Sequence, residues 1–292
     1  MTRTPDEPTL RLAIPKGRMY DGVTRLLGDA GIHLTQTVRS YRPHISLGRC
    51  EVKVLKPQSI VEMLHAGSRD IGFAGADWVA ELDGTLVELA DTGLDPVRVV
   101  AAAPAELLTP EGTLPPGPLV VASEYENLTR RWIAARCPQA SFVRSYGATE
   151  VFPPEDADLI VDNTATGSTL EANNLRIVDE LMASSTRLYA NPRALEHPDR
   201  RAVIEDLVLL VQSVLEARRR VMVEVNVAPE RLEALLAVLP CMRQPTVSQL
   251  AADAGFAVKA AVPRADLPAV IPRLKAAGGE DVVVTRIAQI VP

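Results

Sequence analysis

Residues 158–171 read DLIVDNTATGSTLE, a run that passes from apolar to hydroxyl-rich and then to helix-forming residues. The apolar half predicts a buried strand that delivers Asp162 at its C-terminal end. Ser168 and Glu171 have the spacing of a capping box, which predicts that a helix opens directly after the loop. Ligands of open α/β sheets bind outside the carboxyl ends of the strands. The segment therefore predicts an α/β fold with a ligand site at this sheet edge.

The loop in this segment has the chemistry of a sugar-phosphate site. Backbone N–H groups and hydroxyls at the start of a helix bind anions, and a carboxylate beside them accepts hydrogen bonds from ribose hydroxyls. The candidate residues are Asp158, Asp162, Thr164, Ala165, Thr166, Gly167, Ser168 and Thr169. The alternative is a capped turn whose aspartate is satisfied within the protein, since such loops are common.

Cations follow two other predicted strands. Lys16-Gly17-Arg18 comes after the apolar run at residues 10–14, and Lys56 comes after a second strand. Arginine grips phosphate oxygens in a bidentate fork, and lysine acts as a point charge. We therefore expect these residues to meet phosphates in a cleft, with solvated basic turns as the alternative.

Two further turns have the pattern of cleft residues. Gly75 and Asp77 stand where a predicted strand gives way to a helix, although an ordinary helix cap is the alternative for Asp77. Residues 145–150, SYGATE, form a similar strand-to-helix turn. The four histidines show no metal spacing and no Ser–His–Asp pattern is visible. This fits a reaction that works by positioning and charge stabilisation.

Strands and helices alternate along most of the chain, which predicts mainly parallel sheets with helices on their faces. The Pro- and Gly-rich residues 109–118 predict a surface loop and a change of lobe. A long apolar stripe predicts a helix at about residues 200–220, and its basic end suits the helix dipole better than a nucleic-acid patch. The last residues, from about 221, predict the order βαββαβ of a ferredoxin-like module without catalytic residues.

Composition excludes several classes of function. The 292 residues carry a net charge of −6 with 4% aromatic residues, which argues against a nucleic-acid binder. The cysteines Cys50, Cys137 and Cys241 form no CxxC pair, so a disulfide framework or a zinc site is not expected. The polar residues 1–8 do not resemble a signal peptide, and no apolar run is long enough to span a membrane. We therefore expect a cytoplasmic protein.

Taken in order, these segments resemble the ATP phosphoribosyltransferase family, whose members open histidine biosynthesis. The resemblance extends across nearly the whole chain, and the βαββαβ tail resembles the C-terminal domain of the family's long form. The segments that carry it are residues 12–18 (LAIPKGR), 54–60 (VLKPQSI), 70–77 (DIGFAGAD), 122–128 (ASEYENL) and 158–175.

The resemblance implies a two-lobed body like a type II periplasmic binding protein, followed by an ACT-like, ferredoxin-like regulatory domain. The implied boundaries are 1–104 for the first lobe, with part of 185–217 returning to it, 105–184 for the second lobe, and 218–292 for the regulatory domain. It also implies Mg²⁺ as a cofactor, feedback inhibition by histidine at the C-terminal domain, and a homo-oligomer between dimer and hexamer. No nucleic acid or membrane partner is implied.

The reaction implied by the resemblance joins N1 of the adenine of ATP to C1 of PRPP and releases pyrophosphate. PRPP is expected on the loop from Asp158 to Thr169, with Asp162, Lys16 and Arg18 as catalytic residues. The residues expected to contact ATP or pyrophosphate are Lys16, Gly17, Arg18, Lys56, Gly75, Asp77 and Tyr125.

The chain departs from the family pattern in the middle of the loop. Residues 163–165 read Asn-Thr-Ala where Leu-Val-Ser is more frequent, Glu126 replaces a usual proline, and Lys56 replaces a frequent arginine. Two alternatives to an active enzyme follow. One is a two-lobed sensor that binds a ligand without turnover, and the other is a divergent regulatory paralogue with weak catalysis.

Overall fold

The computed structural model describes residues 10–35, 41–48, 50–242 and 244–291. The chain forms two compact units. The first comprises Met1–Gly28 and Ile32–Glu205, and the second comprises Asp29–Gly31 and Asp206–Pro292. The division between them falls inside one long helix. The lobe limits and the regulatory-domain boundary expected from the sequence remain predictions.

The strands are named in chain order. They are β1 (Leu10–Pro15), β2 (Leu34–Thr35), β3 (His44–Ile45), β4 (Cys50–Leu55), β5 (Ile71–Gly75), β6 (Val87–Pro104), β7 (Val120–Ser123), β8 (Ser141–Arg144), β9 (Leu159–Thr164), β10 (Leu175–Ala190), β11 (Arg220–Val227), β12 (Thr246–Gln249), β13 (Phe256–Pro263) and β14 (Glu280–Arg286).

The helices are named in the same way. They are α1 (Arg18–Asp29), α2 (Pro57–His65), α3 (Ala76–Glu81), α4 (Glu126–Arg136), α5 (Ser168–Ala172), α6 (Pro192–Glu196), α7 (Pro198–Arg219), α8 (Leu232–Val238) and α9 (Leu267–Ala276).

The first unit is built on one sheet with the strand order β4-β1-β5-β10-β6-β9-β7-β8. The strands at each end, β4-β1-β5 and β9-β7-β8, are parallel and define the two lobes. When the strands of each lobe are counted in chain order, the second strand is outermost in the sheet, the first lies next to it, and the third is innermost. The α/β class and the two-lobed, periplasmic-binding-protein-like body predicted from the sequence are confirmed.

The centre of the sheet corrects the expectation of mainly parallel pairing. Strands β6 and β10 pair antiparallel with each other, and they also run antiparallel to β9 and β5, respectively. These strands span 18 and 16 residues. Each of them passes from one lobe to the other, and its direction is opposite to that of the lobe strand beside it. Local alternation of strand and helix does not reveal this direction, since pairing is a non-local property.

The helix after β1 shows how sequence pattern sets the core of the first lobe. Val23, Leu26 and Leu27 lie on one face of α1 and are fully buried. Burying each such side chain contributes about 1.5–3 kcal/mol relative to leaving it exposed. The helix ends near Gly31, which has a positive φ of 80° that favours glycine. This packing holds the β1–α1 turn at the edge of the sheet.

The second unit contains a four-stranded sheet with the order β12-β13-β11-β14, in which every neighbouring pair is antiparallel. Alternate residues of β11 are buried against Leu235 of α8 and against Val270 and Leu274 of α9. Strand order and the two helices match the split βαβ arrangement. The predicted ferredoxin-like tail is therefore confirmed as a fold, with its core made wholly of apolar side chains.

Candidate active site

The carboxyl ends of β1 and β4 bring two predicted phosphate ligands to the same edge. The strands pair in parallel with Pro15 opposite Leu55, and the Lys16 N–H donates to the Leu55 carbonyl at 2.8 Å. Lys16 and Lys56 therefore follow adjacent strand ends, and both are exposed. Their ammonium groups are carried at the edge where α/β sheets bind ligands.

A cavity of about 390 Å³ joins the predicted loop to the first lobe. Arg18, from the first turn of α1, forms part of its wall opposite the loop. The other lining residues are Glu150, Asp162, Asn163, Thr164, Ala165, Thr166, Ser168, Thr169 and Leu170. The structure therefore brings together a guanidinium, a carboxylate and a row of hydroxyls, as the sequence predicts. Glu150, from the SYGATE turn, adds a second carboxylate.

The loop is shaped by Gly167 rather than by a capping box. Gly167 has a φ of 89°, which favours glycine, and its N–H donates to Thr164 Oγ1 at 2.9 Å. Ser168 is the first residue of α5, not its cap, and its hydroxyl pairs with that of Thr166 at 3.0 Å. The capping-box prediction is wrong because Gly167 occupies the N-cap, so the helix begins at Ser168, one residue earlier than the capping box requires.

The helix that follows this loop, α5, contributes little positive electrostatic potential at the loop. α5 has five residues, too few for a strong macrodipole. The donors that this part of the cavity offers are therefore the N–H and hydroxyl groups of the loop and the Arg18 guanidinium. The expectation that an anion binds at this loop remains a prediction, and the short helix α5 adds little to it.

Asp162 is held in an unusual electrostatic setting. Burial first, and then the nearby Glu150 and Glu124 carboxylates, raise the pKa of its carboxyl to about 6, although hydrogen bonds from the Asn163 N–H and the Thr149 side chain oppose the shift. That N–H donates to Asp162 Oδ1 at 2.7 Å. A carboxylate crowded by other acids is stabilised by any cation or hydroxyl that enters the cavity. A cation or a hydroxyl donor near Asp162 would therefore lower its pKa again.

Asp158 is separated from this cavity, although the sequence places it in the same candidate site. It precedes β9, so it lies at the opposite end of that strand from the loop. Its Oδ2 accepts the Val120 N–H at 2.6 Å, which ties β9 to β7. The lining of the cavity does not include it. Asp158 therefore has a structural partner and no geometric link to a ligand.

A smaller cavity of about 80 Å³ lies beside the first and shares Arg18 and Asn163 with it. It gathers three other residues predicted from the sequence, namely Gly75, Asp77 and Tyr125. The remaining lining residues are Met19, Trp78, Asp95, Val97, Ser184, Ser185 and Thr186. At about 80 Å³ this cavity is smaller than the roughly 300–1,000 Å³ that is typical of ligand pockets.

Asp77 is the centre of this smaller cavity. It is 5% exposed and accepts hydrogen bonds from the Tyr125 hydroxyl at 2.6 Å and the Ser184 hydroxyl at 2.8 Å. The Tyr125 ring stacks on Trp78 with centroids 4.7 Å apart. Ser184 lies 107 residues away in sequence, and no local pattern identifies it. Asp77 therefore links a strand end of the first lobe to both Tyr125 and the crossing strand β10.

Gly75 makes room for that carboxylate. A Cβ added to Gly75 would lie 2.1 Å from Asp77 Oδ1, far inside contact distance. The φ of Gly75 is −70°, so the backbone itself does not require glycine. The absence of a side chain at this position is thus explained by Asp77, which the sequence pattern did not show.

A second carboxylate braces the lobes next to this site. Glu81, at the end of α3, accepts the backbone N–H groups of Asn127 and Leu128 at 3.0 and 2.9 Å. These are free donors of the first turn of α4. Glu81 is nearly fully buried, so it satisfies them in place of a ligand. The first turn of α4 is therefore a lobe contact.

The described residues contain neither a helix that could span a membrane nor a cluster of side chains that could hold a metal ion. Within residues 10–35, 41–48, 50–242 and 244–291, no helix has the length and apolar character needed to cross a membrane. In the same ranges, no group of three or more His, Cys, Asp or Glu side chains is arranged to hold a metal ion.

The fold and the site define a class of protein. Two lobes joined by crossing strands enclose a hydroxyl-rich loop, a carboxylate with a raised pKa and a guanidinium from the opposite lobe. This combination suits a transferase that holds a phosphorylated sugar and acts by positioning and charge stabilisation.

Comparison with known proteins gives the family. The family model "ATP phosphoribosyltransferase" matches residues 56–213, and the model "HisG, C-terminal domain" matches residues 217–289. The chain belongs to the ATP phosphoribosyltransferase family. The predicted recognition and enzyme class, a pentosyltransferase of histidine biosynthesis, are confirmed.

Individual relatives agree with this assignment. The ATP phosphoribosyltransferase of Chlorobium luteolum is 37% identical over 96% of this chain and 96% of its own length. That of Pelotomaculum thermopropionicum is 35% identical over 97% and 99%. Among solved structures, the ATP phosphoribosyl transferase (HisG:HisZ) complex from Thermotoga maritima matches with a TM-score of 0.61 and 28% identity. That match covers 70% of this chain and 99% of the Thermotoga chain.

Proposed function

We propose that the 390 Å³ cavity binds PRPP and that the Asp77–Tyr125 side of the cleft receives ATP. The observation that carries the proposal is the meeting of Arg18, from one lobe, with Asp162 and the loop hydroxyls of the other. Sugar hydroxyls need acceptors and phosphates need donors and cations, and this cavity holds both. Lys16 and Lys56 extend the positive wall along the strand ends.

The arrangement suits attack by N1 of adenine on C1 of PRPP, with departure of pyrophosphate. The C1–O bond breaks as the N1–C1 bond forms, so positive charge develops on the ribose ring and negative charge on the leaving group. Asp162 accepts hydrogen bonds from the ribose hydroxyls and faces the developing positive charge. Arg18, Lys16 and Lys56 stabilise the leaving pyrophosphate. No covalent intermediate is needed.

The donor set is compatible with Mg²⁺. Mg²⁺ keeps several waters and binds through one or two carboxylates together with substrate phosphates. Asp162 and Glu150 line the same cavity, and their negative charges repel each other, so a cation near both carboxylates would be stabilised. These two residues would hold the ion, which supplies charge neutralisation for pyrophosphate when bound. A cage of protein ligands is not required for this role.

An Arg18→Ala variant tests the proposed site. We expect kcat/KM for PRPP to fall about 10–100-fold, because a charge-assisted bond to phosphate contributes about 1.5–3 kcal/mol. Turnover is followed by the ultraviolet absorbance of phosphoribosyl-ATP in the presence of ATP, PRPP and Mg²⁺. Arg25→Ala is the matched control, because Arg25 is an exposed arginine on the same helix, outside both cavities.

The outcomes of this experiment separate the candidates. Unchanged kcat/KM in Arg18→Ala would remove Arg18 from the site. A wild-type protein that binds PRPP tightly but gives no product would support the non-catalytic paralogue suggested by residues 163–165. A protein that binds neither substrate would support the sensor alternative.

Histidine inhibition, assembly into a homo-oligomer of up to six subunits and a cytoplasmic location also belong to this proposal. The support for inhibition at the second unit is the match of residues 217–289 to the family's C-terminal domain. Leu274→Ala in its core should destabilise that unit by about 2–5 kcal/mol. We expect the histidine inhibition curve to shift to higher concentration while turnover without histidine is retained. An unchanged curve would place inhibition elsewhere.

A further inference from the structure

A chain of hydrogen bonds crosses from one lobe to the other and ends on the carboxylate of the PRPP loop. The Tyr125 hydroxyl donates to Asp77 Oδ2 at 2.6 Å, and the Asn163 side-chain amide donates to the Tyr125 oxygen at 3.0 Å. The same amide nitrogen lies 3.3 Å from Asp162 Oδ1. Three contacts therefore connect Asp77, in the first lobe, to Asp162, in the second.

The direction of these bonds is fixed by chemistry. The Tyr125 side chain is 1% exposed, and burial together with the Asp77 carboxylate raises the pKa of its hydroxyl, so the phenol keeps its proton. That proton goes to Asp77, which is an acceptor. The phenol oxygen is then left with lone pairs, and it accepts from a donor on the other side. Asn163 must therefore turn its NH₂ group, and not its carbonyl, towards Tyr125.

This orientation has a consequence for Asp162. Asn163 offers two donors to the same oxygen, Oδ1, because its backbone N–H lies 2.7 Å from it and its side-chain NH₂ lies 3.3 Å from it. The two Asn163 donors thereby help to orient the Asp162 carboxylate, together with a hydrogen bond from the Thr149 side chain, and Tyr125 orients the Asn163 amide. Asn163 is also the residue shared, with Arg18, by both cavities.

The small cavity is lined by three residues of this chain of hydrogen bonds, namely Asp77, Tyr125 and Asn163. Its volume of about 80 Å³ is below the roughly 300–1,000 Å³ of ligand pockets, so a nucleotide bound against Asp77 and Tyr125 would press on the groups around them. Any change at the Tyr125 oxygen alters the position of the Asn163 amide. That amide is one of the donors that orient the Asp162 carboxylate, beside the Asn163 N–H and the Thr149 side chain.

We propose that Asn163 is a positioning residue that couples the two substrate sites, so that a nucleotide bound against Asp77 and Tyr125 tightens the binding of PRPP at Asp162. The inference rests on the substrate sites proposed above. Coupling between sites is reciprocal, so PRPP tightens nucleotide binding by the same factor. Asn163 itself need not contact either substrate.

The test measures the dissociation constant of PRPP with and without a nucleotide that cannot react. 1-Deaza-ATP lacks the attacking nitrogen, and isothermal titration with Mg²⁺ present gives both constants. For the wild-type protein we expect PRPP to bind at least about fivefold more tightly with 1-deaza-ATP present, the lower end of ordinary coupling between sites. The absence of this difference in the wild-type protein would overturn the proposal.

Two variants locate the coupling in the hydrogen-bond chain. Asn163→Ala removes the amide at an exposed position that tolerates truncation, and Tyr125→Phe keeps the stacked ring but removes the hydroxyl. In both we expect the coupling factor to fall towards one, and the dissociation constant of PRPP alone, measured in the same titrations, separates this loss from any change in basal affinity. A coupling factor that stays at the wild-type value in either variant would contradict the proposal.

A matched control and a reference variant complete the design. Asn173→Ala removes a side-chain amide that donates to the Thr169 carbonyl, next to the same loop but outside the chain of bonds, and we expect full coupling in it. Asp162→Asn separates the two levels of inference. Unchanged PRPP affinity in Asp162→Asn removes the proposed site, whereas lost affinity there with intact coupling in Asn163→Ala removes only the role of Asn163.

Discussion

Asp77 and Asp162 occupy matching places in the two lobes but have opposite environments. Asp77 is the second residue of the helix that follows β5, and Asp162 lies near the end of β9, and each of these strands is the third of its lobe. Asp77 is buried, with two hydroxyl donors on its carboxylate. Asp162 lines the larger cavity, and its pKa is raised to about 6. The same topology thus yields one carboxylate satisfied by the protein and one available to a ligand.

The largest expected effect is on catalysis at the available carboxylate. Asp162→Asn removes a charged acceptor for ribose hydroxyls, and we expect kcat/KM for PRPP to fall about 10–100-fold. The melting temperature should not decrease, since the raised pKa shows that the folded protein disfavours this charge. Steady-state kinetics and a thermal unfolding curve on the same sample measure both.

Asp158→Ala is the counterpart at the position immediately before the same strand. It removes the acceptor of the Val120 N–H, so we expect a loss of about 0.5–1.5 kcal/mol in the free energy of unfolding with kcat/KM within twofold of the wild type. The two variants should therefore dissociate activity from stability. A large catalytic loss in Asp158→Ala would return it to the site where the sequence first placed it.

A smaller effect is expected at the satisfied carboxylate. Gly75→Ala places a methyl group 2.1 Å from Asp77 Oδ1, and overpacking of this kind costs about 1–3 kcal/mol. Urea unfolding measures the loss. Gly28→Ala is the control, because a Cβ there meets no atom within 4 Å and the position is helical, so it should be neutral or slightly stabilising. Equal stability of both variants would show that Asp77 is not held as described.

The pH dependence of PRPP affinity tests the raised pKa of Asp162. Protonation of Asp162 below pH 6 removes its charge, so the affinity for PRPP should weaken as pH falls from 7 to 5. A phosphate group also titrates near pH 6, so Asp162→Asn provides the baseline for the substrate. The difference between the two plots of log Kd against pH should change slope at about pH 6. Parallel profiles would mean that Asp162 does not titrate in this range.

The smallest expected effect is on the stability of the unliganded protein. The folded pKa of Asp162 exceeds its unfolded value, so the folded state binds more protons between about pH 4 and 6. The stability that Asp162 contributes is therefore present below pH 4 and is lost as pH rises through 6. The unfolding free energy of Asp162→Asn minus that of the wild type should increase over this window. A constant difference across it would contradict the assigned pKa.

The sequence predicts local structure well because the signals are local. The buried face of α1, the strand that carries Asp162 and the βαββαβ tail all follow from hydrophobic period and turn residues. The antiparallel passage of β6 and β10 between the lobes does not follow, since it depends on which distant strands pair. Chain alternation alone therefore suggests a more parallel sheet than the protein has.

The site shows the same limit. Lys16, Arg18 and Asp162 are predicted because strand ends collect ligands, whatever the rest of the chain does. The bond from Asn163 to Tyr125 joins residues 38 apart in sequence, and the bond from Ser184 to Asp77 joins residues 107 apart. No spacing rule reveals such pairs.

The central claim is that PRPP binds at Asp162 and the loop beside it, while the nucleotide binds on the Asp77–Tyr125 side. The most direct test is calorimetric binding of PRPP and of ATP, each alone, to Asp162→Asn and to the wild-type protein. The account predicts that PRPP binds at least about tenfold more weakly to Asp162→Asn, while the dissociation constant of ATP changes by less than about twofold. Wild-type affinity for PRPP, or an equal loss for both substrates, would contradict it.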